Sequence, residues 1–421
     1  MLDLKFIREN PELVKKGILA KNDIDNVDEI ILLDEQRRRF IQEVESLKAK
    51  RNELSQKVGE LKRKGESAEK ILEESNGIKS SIQTIDEELK VVETKLNELL
   101  LTVPNVPHPT VPIGRTPNDN KIIFESSEKI KKENWMKPHW ELAEKLGIID
   151  FERGSKVSGA GFPFYIGKGA ILQRSLINFF LDEAGKKNYN ELMPPIVVNE
   201  ASARGTGQIP DKEDLMYVIS RDELFMIPTA EVPVSNFHRD EILDEKKLPI
   251  KFCAYTPCFR REAGSYGKDV RGLNRLHQFD KVELVKFVHP NFSYDELESL
   301  RIDAEDLLKL LNLPYRTLLM CTGDMGFTQT KKYDLEVWSA AQEKWLEVSS
   351  CSNFESFQSR RMNVRFKSHE TNKPEFVHTL NGSGLALPRI VAALLENNQT
   401  PEGKILVPKV LQSYTKFSVI D

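Results

Sequence analysis

The sequence predicts an α+β protein, with an antiparallel two-helix coiled-coil arm at its N-terminus and a following domain built on a largely antiparallel sheet flanked by helices. Three observations carry this. Apolar residues recur in alternating steps of three and four along two long stretches that contain almost no aromatic residues. A proline-rich segment then ends the helical pattern. Beyond it, strand-like runs follow one another with few helices between them, which favours antiparallel pairing.

Residues 1–26 read as a short helix, with Asp3 as its N-cap and Ile7, Leu13 and Val14 as apolar positions. The first seam then runs through Ile30, Leu33, Arg37, Phe40, Val44, Leu47, Arg51, Leu54, Val58 and Leu61. The second runs through Ala68, Ile71, Ser75, Ile78, Ile82, Ile85, Leu89, Val92, Leu96 and Leu99. This is a heptad pattern on two helices of similar length. KRKGES joins them, with Gly65 to turn the chain, so the helices form a hairpin. About 35 residues at a 1.5 Å rise give an arm of roughly 50 Å, expected to project into solvent.

The whole chain has a net charge of -4 over 421 residues, so any surface for nucleic acid must be local. Residues 34–64 supply one, with ten Lys and Arg against six Asp and Glu. Such a face is either an ordinary solvated coiled-coil surface or a binder of phosphate. Five prolines in 102–120 mark a linker. The expected organisation is therefore an arm domain over 1–101, the linker over 102–120, and one catalytic-type domain over 121–421.

In that domain helices are expected at 128–146, 168–187, 293–311 and 384–397. Strands are expected at 192–198, 215–219, 224–227, 252–262, 274–287, 333–339 and 345–350. Neither G-x-G-x-x-G nor the P-loop motif occurs, which argues against a Rossmann or P-loop nucleotide site. Cys253, Cys258, Cys321 and Cys351 form no C-x-x-C pair or zinc spacing, as expected of reduced thiols in a cytoplasmic protein. The N-terminus lacks the features of a secretory signal, and no run of about 18 apolar residues marks a membrane span.

Three segments carry chemistry. Residues 256–287 place Arg260, Arg261 and Glu262 at a strand end, then a Gly-rich stretch with Arg271 and Arg275, then Phe279 and Glu283 on a returning strand. Arginine forks suit phosphate oxygens and Phe279 can stack on a base. Residues 379–399 place Gly382, Ser383 and Gly384 before an amphipathic helix carrying Arg389. Glycines there would let a ligand approach the backbone. Residues 346–354 offer Glu347 and Ser350 as hard oxygen ligands for Mg²⁺.

These segments resemble class II aminoacyl-tRNA synthetases. FRRE, residues 259–262, matches the F-R-x-E of motif 2, the segment around Arg389 resembles motif 3, and the helix before ELMPPIVV, with Pro195, resembles motif 1. IPTAEVPV (227–234), LHQFDKVELV (276–285) and LNGSGLA (380–386) resemble the seryl-tRNA synthetase family specifically, and the likeness spans the whole chain. Pro388, directly before the motif 3 arginine, departs from many class II enzymes, although proline is tolerated in a first helical turn.

The resemblance implies a six- or seven-stranded antiparallel sheet and a homodimer formed through motif 1. It implies that L-serine and ATP give seryl-adenylate, and that the seryl group passes to tRNA(Ser), or to tRNA(Sec) where that tRNA exists. Arg260, Glu347 and Arg389 are implied as the catalytic set. Arg260 would hold the α-phosphate and the serine carboxylate, with Arg261 beside it and Glu262 on the adenine side. Arg275 and Arg389 would grip the β- and γ-phosphates, and Phe279 would stack on adenine against Arg389. Glu347 and Ser350 would hold Mg²⁺, with Val348 and Ser349 between them in the ATP site. Thr229, Ala230 and Glu231 would form the serine pocket, Glu231 taking the ammonium and Glu283 the hydroxyl, with Asn381 and Ser383 completing it. Lys48, Lys50, Arg51 and Lys57 on the arm would meet tRNA.

Threonyl and prolyl relatives carry an anticodon-binding domain after motif 3, and only 32 residues follow Arg389 here. A degenerate, non-catalytic relative would have lost matched positions. A relative that acylates a carrier protein would lack the heptad arm.

Overall fold

The computed structural model describes residues 1–211, 214–262 and 271–421. The chain forms two units, Met1–Leu19 with Asp23–Pro104, and Ala20–Asn22 with Asn105–Asp421.

The first unit contains helices α1 (Leu4–Glu9), α2 (Pro11–Ala20), α3 (Val27–Lys64) and α4 (Glu69–Thr102). The single short helix expected before the arm is two. Pro11 lacks the amide that would continue α1 but fits the first position of α2. Asp3 caps α1, its carboxylate accepting from the Lys5 and Phe6 amides at 2.7 and 3.2 Å. All twenty seam positions are buried or half-buried, and Val44, Leu54, Ile78 and Ile82 form one cluster. Gly65 reverses the chain with φ +74°, and the Glu66 amide reaches back to the Leu61 carbonyl at 3.0 Å. Lys48, Lys50 and Lys57 are exposed and Arg51 is half-buried along the seam. Lys50 faces Glu74 at 2.8 Å and Lys57 faces Glu53 at 2.7 Å. Exposed pairs like these hold weakly against water and salt.

In the second unit the proline-rich stretch is laid into the fold. The Asn105 side-chain amide donates to the Thr328 and Phe354 carbonyls at 3.0 and 2.9 Å, and Val111 packs with Leu318, Met320 and Met325. The main sheet has strands β1 (Lys121–Glu125), β2 (Asn190–Glu191), β3 (Ile250–Phe259), β4 (Gln278–Val288), β5 (Tyr315–Leu319), β6 (Lys331–Ser339), β7 (Lys344–Asn353) and β8 (His378–Ala386). Their order is β1-β5-β6-β7-β8-β4-β3-β2, and only β2 and β3 pair in parallel. Among the described residues there are thus eight strands where six or seven were implied. Helices α5 (His139–Lys145), α6 (Lys168–Lys186), α7 (Ser293–Leu310) and α8 (Leu387–Asn397) contribute to its core. There Phe179, Phe180, Val282, Leu284, Leu300, Leu380, Val391 and Leu394 are buried together.

Three expectations fail for local reasons. The helix expected over 128–146 survives only as α5, because Pro138 disfavours helical geometry at the residue before it. The strand expected over 192–198 shrinks to Val197–Asn199, with β2 ending just before it at Glu191, since Pro194 and Pro195 cannot donate to a ladder. The helix expected from 384 starts at Leu387, because 378–386 are a central strand. Gly382 and Gly384 therefore serve packing inside a sheet. A Cβ on Gly382 would sit 3.1 Å from the Cys351 sulfur and from Leu300, and one on Gly384 would sit 3.2 Å from Val282. Pro388 falls in the first turn of α8, where its missing amide costs nothing.

Candidate active site

Alternation along the strands builds the site. On β4, side chains two residues apart share a face, so Phe279, Lys281 and Glu283 line one cavity while Val282 and Leu284 enter the core. On β8, Asn381 and Ser383 line the same cavity, and Ser383 lies directly opposite Glu283 in register. On β7, a register shift near Glu347 lets Glu347, Val348, Ser349, Ser350 and Ser352 all reach it. Arg260 follows β3, and Arg389 projects from the first turn of α8. The cavity measures about 360 Å³.

One end holds two buried carboxylates. Glu231 accepts from Gln358 Nε2 at 2.6 Å and Asn381 Nδ2 at 2.7 Å. The same Asn381 amide reaches Glu283 at 3.4 Å. Glu283 also accepts from the Thr229 hydroxyl at 2.9 Å and contacts the Lys281 ammonium, which donates to Thr229 at 2.9 Å. Burial and the Glu283 charge push the Glu231 carboxyl up to about 7. That places it near half-protonation at neutral pH.

The other end is cationic. Arg389 donates to the Asn274 carbonyl at 3.0 Å and the Glu347 carbonyl at 2.7 Å. Arg275 pairs with Glu262 at 2.9 Å. Arg260 lies over the Phe279 ring, 5.2 Å from its centre, and donates to the Pro228 carbonyl at 3.3 Å. Arg260 thus covers one face of the Phe279 ring. Burial would raise the Glu347 carboxyl, but Lys332, Arg389 and Arg260 outweigh it and hold it below the usual range. Ser350 donates to Asp334 at 2.6 Å, and its hydroxyl oxygen lies 3.2 Å from Glu347. Neighbouring carboxylate and hydroxyl oxygens of this kind fit a hard divalent cation that keeps other positions for phosphate and water.

Two expected residues lie outside the cavity lining. Arg261 pairs instead with Asp214 at 2.6 Å. Ala230 is buried at the start of the short helix Glu231–Ser235, against Val234, Phe252 and Met362 among others. The Gly-rich stretch between Glu262 and Arg271 is outside the described residues. The sequence reading missed Lys281, Asn274, Gln329 and Lys332, all of which line the cavity. The signal for Lys281 was present, since it lies two residues from both Phe279 and Glu283.

Lys281 is the cation nearest the carboxylate pair. Glu231 binds its proton more tightly folded than unfolded, so its contribution to stability grows as pH falls through about 7 and is lost as pH rises. Lys281→Met is therefore expected to destabilise the protein by about 3 kcal/mol at pH 8 and by clearly less at pH 5, measured by urea denaturation. Equal losses at both pH values would contradict this.

Comparison with known proteins gives this site its context. Residues 217–398 match the tRNA synthetase class II core domain (G, H, P, S and T), and residues 1–107 match the seryl-tRNA synthetase N-terminal domain. A serine--tRNA ligase from Salinibacter ruber is 57% identical, covering 100% of this chain and 99% of that one. One from Chloroherpeton thalassium is 53% identical over the full length of both. The seryl-tRNA synthetase of Pyrococcus horikoshii, solved with ATP, superposes with a TM-score of 0.95 at 37% identity over 100% of this chain and 99% of that one. That of Naegleria fowleri, solved with AMP, gives 0.89 at 29% identity with the same coverage. The chain, with its heptad arm and its antiparallel sheet carrying this cavity, belongs to the seryl-tRNA synthetase family.

Proposed function

We propose that the cavity binds L-serine and ATP side by side, joins them as seryl-adenylate, and passes the seryl group to tRNA. A serine carboxylate oxygen attacks the α-phosphorus, the bond to the β-phosphate breaks, and pyrophosphate leaves. A hydroxyl of the tRNA terminal adenosine then attacks the seryl carbonyl, and AMP leaves. The supporting observation is the polarity of the site, with two buried carboxylates and a hydroxyl at one end and three arginines at the other. A zwitterion with a hydroxyl matches the first, and a polyphosphate matches the second.

Glu231 takes the serine ammonium. Glu283 and Thr229 read the hydroxyl, with Asn381 and Ser383 closing the pocket. Arg260 spans both substrates, holding the serine carboxylate against the α-phosphate and neutralising charge as it builds there. Arg275 and Arg389 hold the outer phosphates, with Glu262 orienting Arg275. Phe279 offers a ring face for adenine once Arg260 engages phosphate. Glu347 and Ser350 would hold Mg²⁺, which supplies charge neutralisation to the phosphates. The ATP held by the Pyrococcus horikoshii relative supports this reading. None of these steps needs a side chain to shuttle a proton to phosphorus, in keeping with a site of arginines and carboxylates.

The arm, through Lys48, Lys50, Arg51 and Lys57, is proposed to bind tRNA(Ser), and tRNA(Sec) where a cell makes it. The exposed ion pairs of Lys50 and Lys57 exchange readily for phosphate. We further infer a homodimer, Mg²⁺ dependence and a cytoplasmic location. Among the described residues no helix is long and apolar enough to cross a membrane.

Pyrophosphate exchange tests the pocket. Serine is expected to support exchange, with alanine lower by about 10³-fold or more, because alanine leaves Glu283 and Thr229 without their ligand partner. Threonine, which keeps the hydroxyl, must be excluded sterically. Exchange with alanine within tenfold of serine would refute the hydroxyl-reading role. Replacing Lys48, Lys50, Arg51 and Lys57 together by Gln is expected to raise the KM for tRNA and flatten its salt dependence, by up to about one unit of log–log slope for each phosphate that is no longer neutralised. Exchange should be untouched, and an equal fall in exchange would remove the arm assignment.

A further inference from the structure

A buried polar network stands behind the arginines and none of the roles above uses it. His139, the first residue of α5, is fully buried. Its Nδ1 lies 2.7 Å from Glu396 Oε1 on α8, and its backbone amide donates to the same oxygen at 2.9 Å. Its Nε2 accepts from the Leu273 amide at 2.8 Å. An amide can only donate, so Nε2 is the unprotonated nitrogen and Nδ1 carries the proton toward Glu396. Burial would raise the Glu396 carboxyl, but hydrogen bonds from His139 and Ser339 outweigh it and hold it low.

The network grips three successive residues just before Arg275. Gly272 lies flat against the imidazole at φ +67°, where a Cβ would fall 2.3 Å from Nε2. Leu273 is held through its amide. Asn274 donates to Gln342 Oε1 at 3.0 Å, and Gln342 in turn donates to Glu396 at 2.8 Å. The Asn274 carbonyl receives Arg389 at 3.0 Å. Arg389 and Glu396 are seven residues apart, about two turns along one helix. Both thus reach the same short segment from α8, one directly and one through His139.

We propose that His139 and Glu396 are positioning residues for ATP: they lock the segment 271–275 onto α8 and thereby fix the spacing of Arg275 and Arg389 over the triphosphate. The proposal rests on the reading of those two arginines as phosphate ligands. It assigns His139 no contact with substrate. Its work is to hold an amide with a fixed tautomer, and the side chain that does so must accept at the position of Nε2.

That requirement gives a test on the full-length enzyme. His139→Asn keeps a donor toward Glu396 but removes the acceptor for Leu273, whereas His139→Gln can place an amide oxygen near the Nε2 position. In pyrophosphate exchange His139→Asn is expected to raise the KM for ATP about tenfold while moving the KM for serine less than twofold. His139→Gln is expected to recover most of the loss. ATP affinity by calorimetry, without turnover, should follow the same order. Gln342→Leu, at a half-buried position, should show a smaller shift of the same selectivity and serves if His139→Asn does not fold. Equal loss for both substrates, no loss in either His139→Asn or Gln342→Leu, or no difference between the Asn and Gln variants would overturn the proposal. Arg275→Ala and Arg389→Ala run alongside. If they leave the KM for ATP unchanged, the phosphate reading itself fails. If they raise it while the network variants do not, only the positioning role fails.

Discussion

Two carboxylates, Glu231 and Glu283, are buried within reach of the same Asn381 amide, and that end of the cavity is organised around making the arrangement tolerable. Desolvation penalises each charge and mutual repulsion adds to it. The fold answers with Lys281 and Thr229 on Glu283 and with Gln358 and Asn381 on Glu231. Among the described residues Glu231 still has no cation in direct contact, and its carboxyl rises to about 7. Bringing it back to an ordinary value corresponds to roughly 3 kcal/mol of missing stabilisation. A ligand ammonium at that point would supply the missing positive charge, which is why the reading proposed above gives Glu231 to the serine ammonium. A neutral or acidic ligand cannot relieve the same strain.

The sheet makes this possible because its alternation sorts residues with little ambiguity. Each of β4 and β8 gives one face to the apolar core and the other to the cavity, so polar groups can stand a few ångströms from a dry interior without entering it. The register shift beside Glu347 breaks that alternation where consecutive residues of β7 reach the same space. At the arginine end the solution differs. Arg260, Arg275 and Arg389 come from a strand end, a returning segment and a helix start, so their relative placement depends on how those three pieces are fastened together.

Much of this was legible in the residues alone. The two heptad seams, Gly65 as the turn, and strands β3, β4, β6 and β7 follow from periodicity and turn chemistry. Of the residues expected in the serine and ATP sites, all but Ala230 and Arg261 line the cavity. What was not legible is physical in kind. β8 reads as a glycine-rich approach to a helix because nothing local says that Gly382 must pass between Cys351 and Leu300. Lys281 reads as one more strand lysine until the burial of its neighbours is known. His139 and Glu396 are 257 residues apart, and only the tertiary fold joins them. The helix expected over 128–146 fails because Pro138 outweighs the favourable average pattern around it.

The most direct measurement is the proton balance of serine binding, read by titration calorimetry in buffers of different ionisation enthalpy. With Glu231 near 7 in the protein alone and, on the reading proposed above, ionised beside the serine ammonium, serine should displace about half a proton at pH 7, approaching one near pH 6 and almost none at pH 8.5. Binding that releases no proton at any of these values would contradict the central role of the buried carboxylate pair.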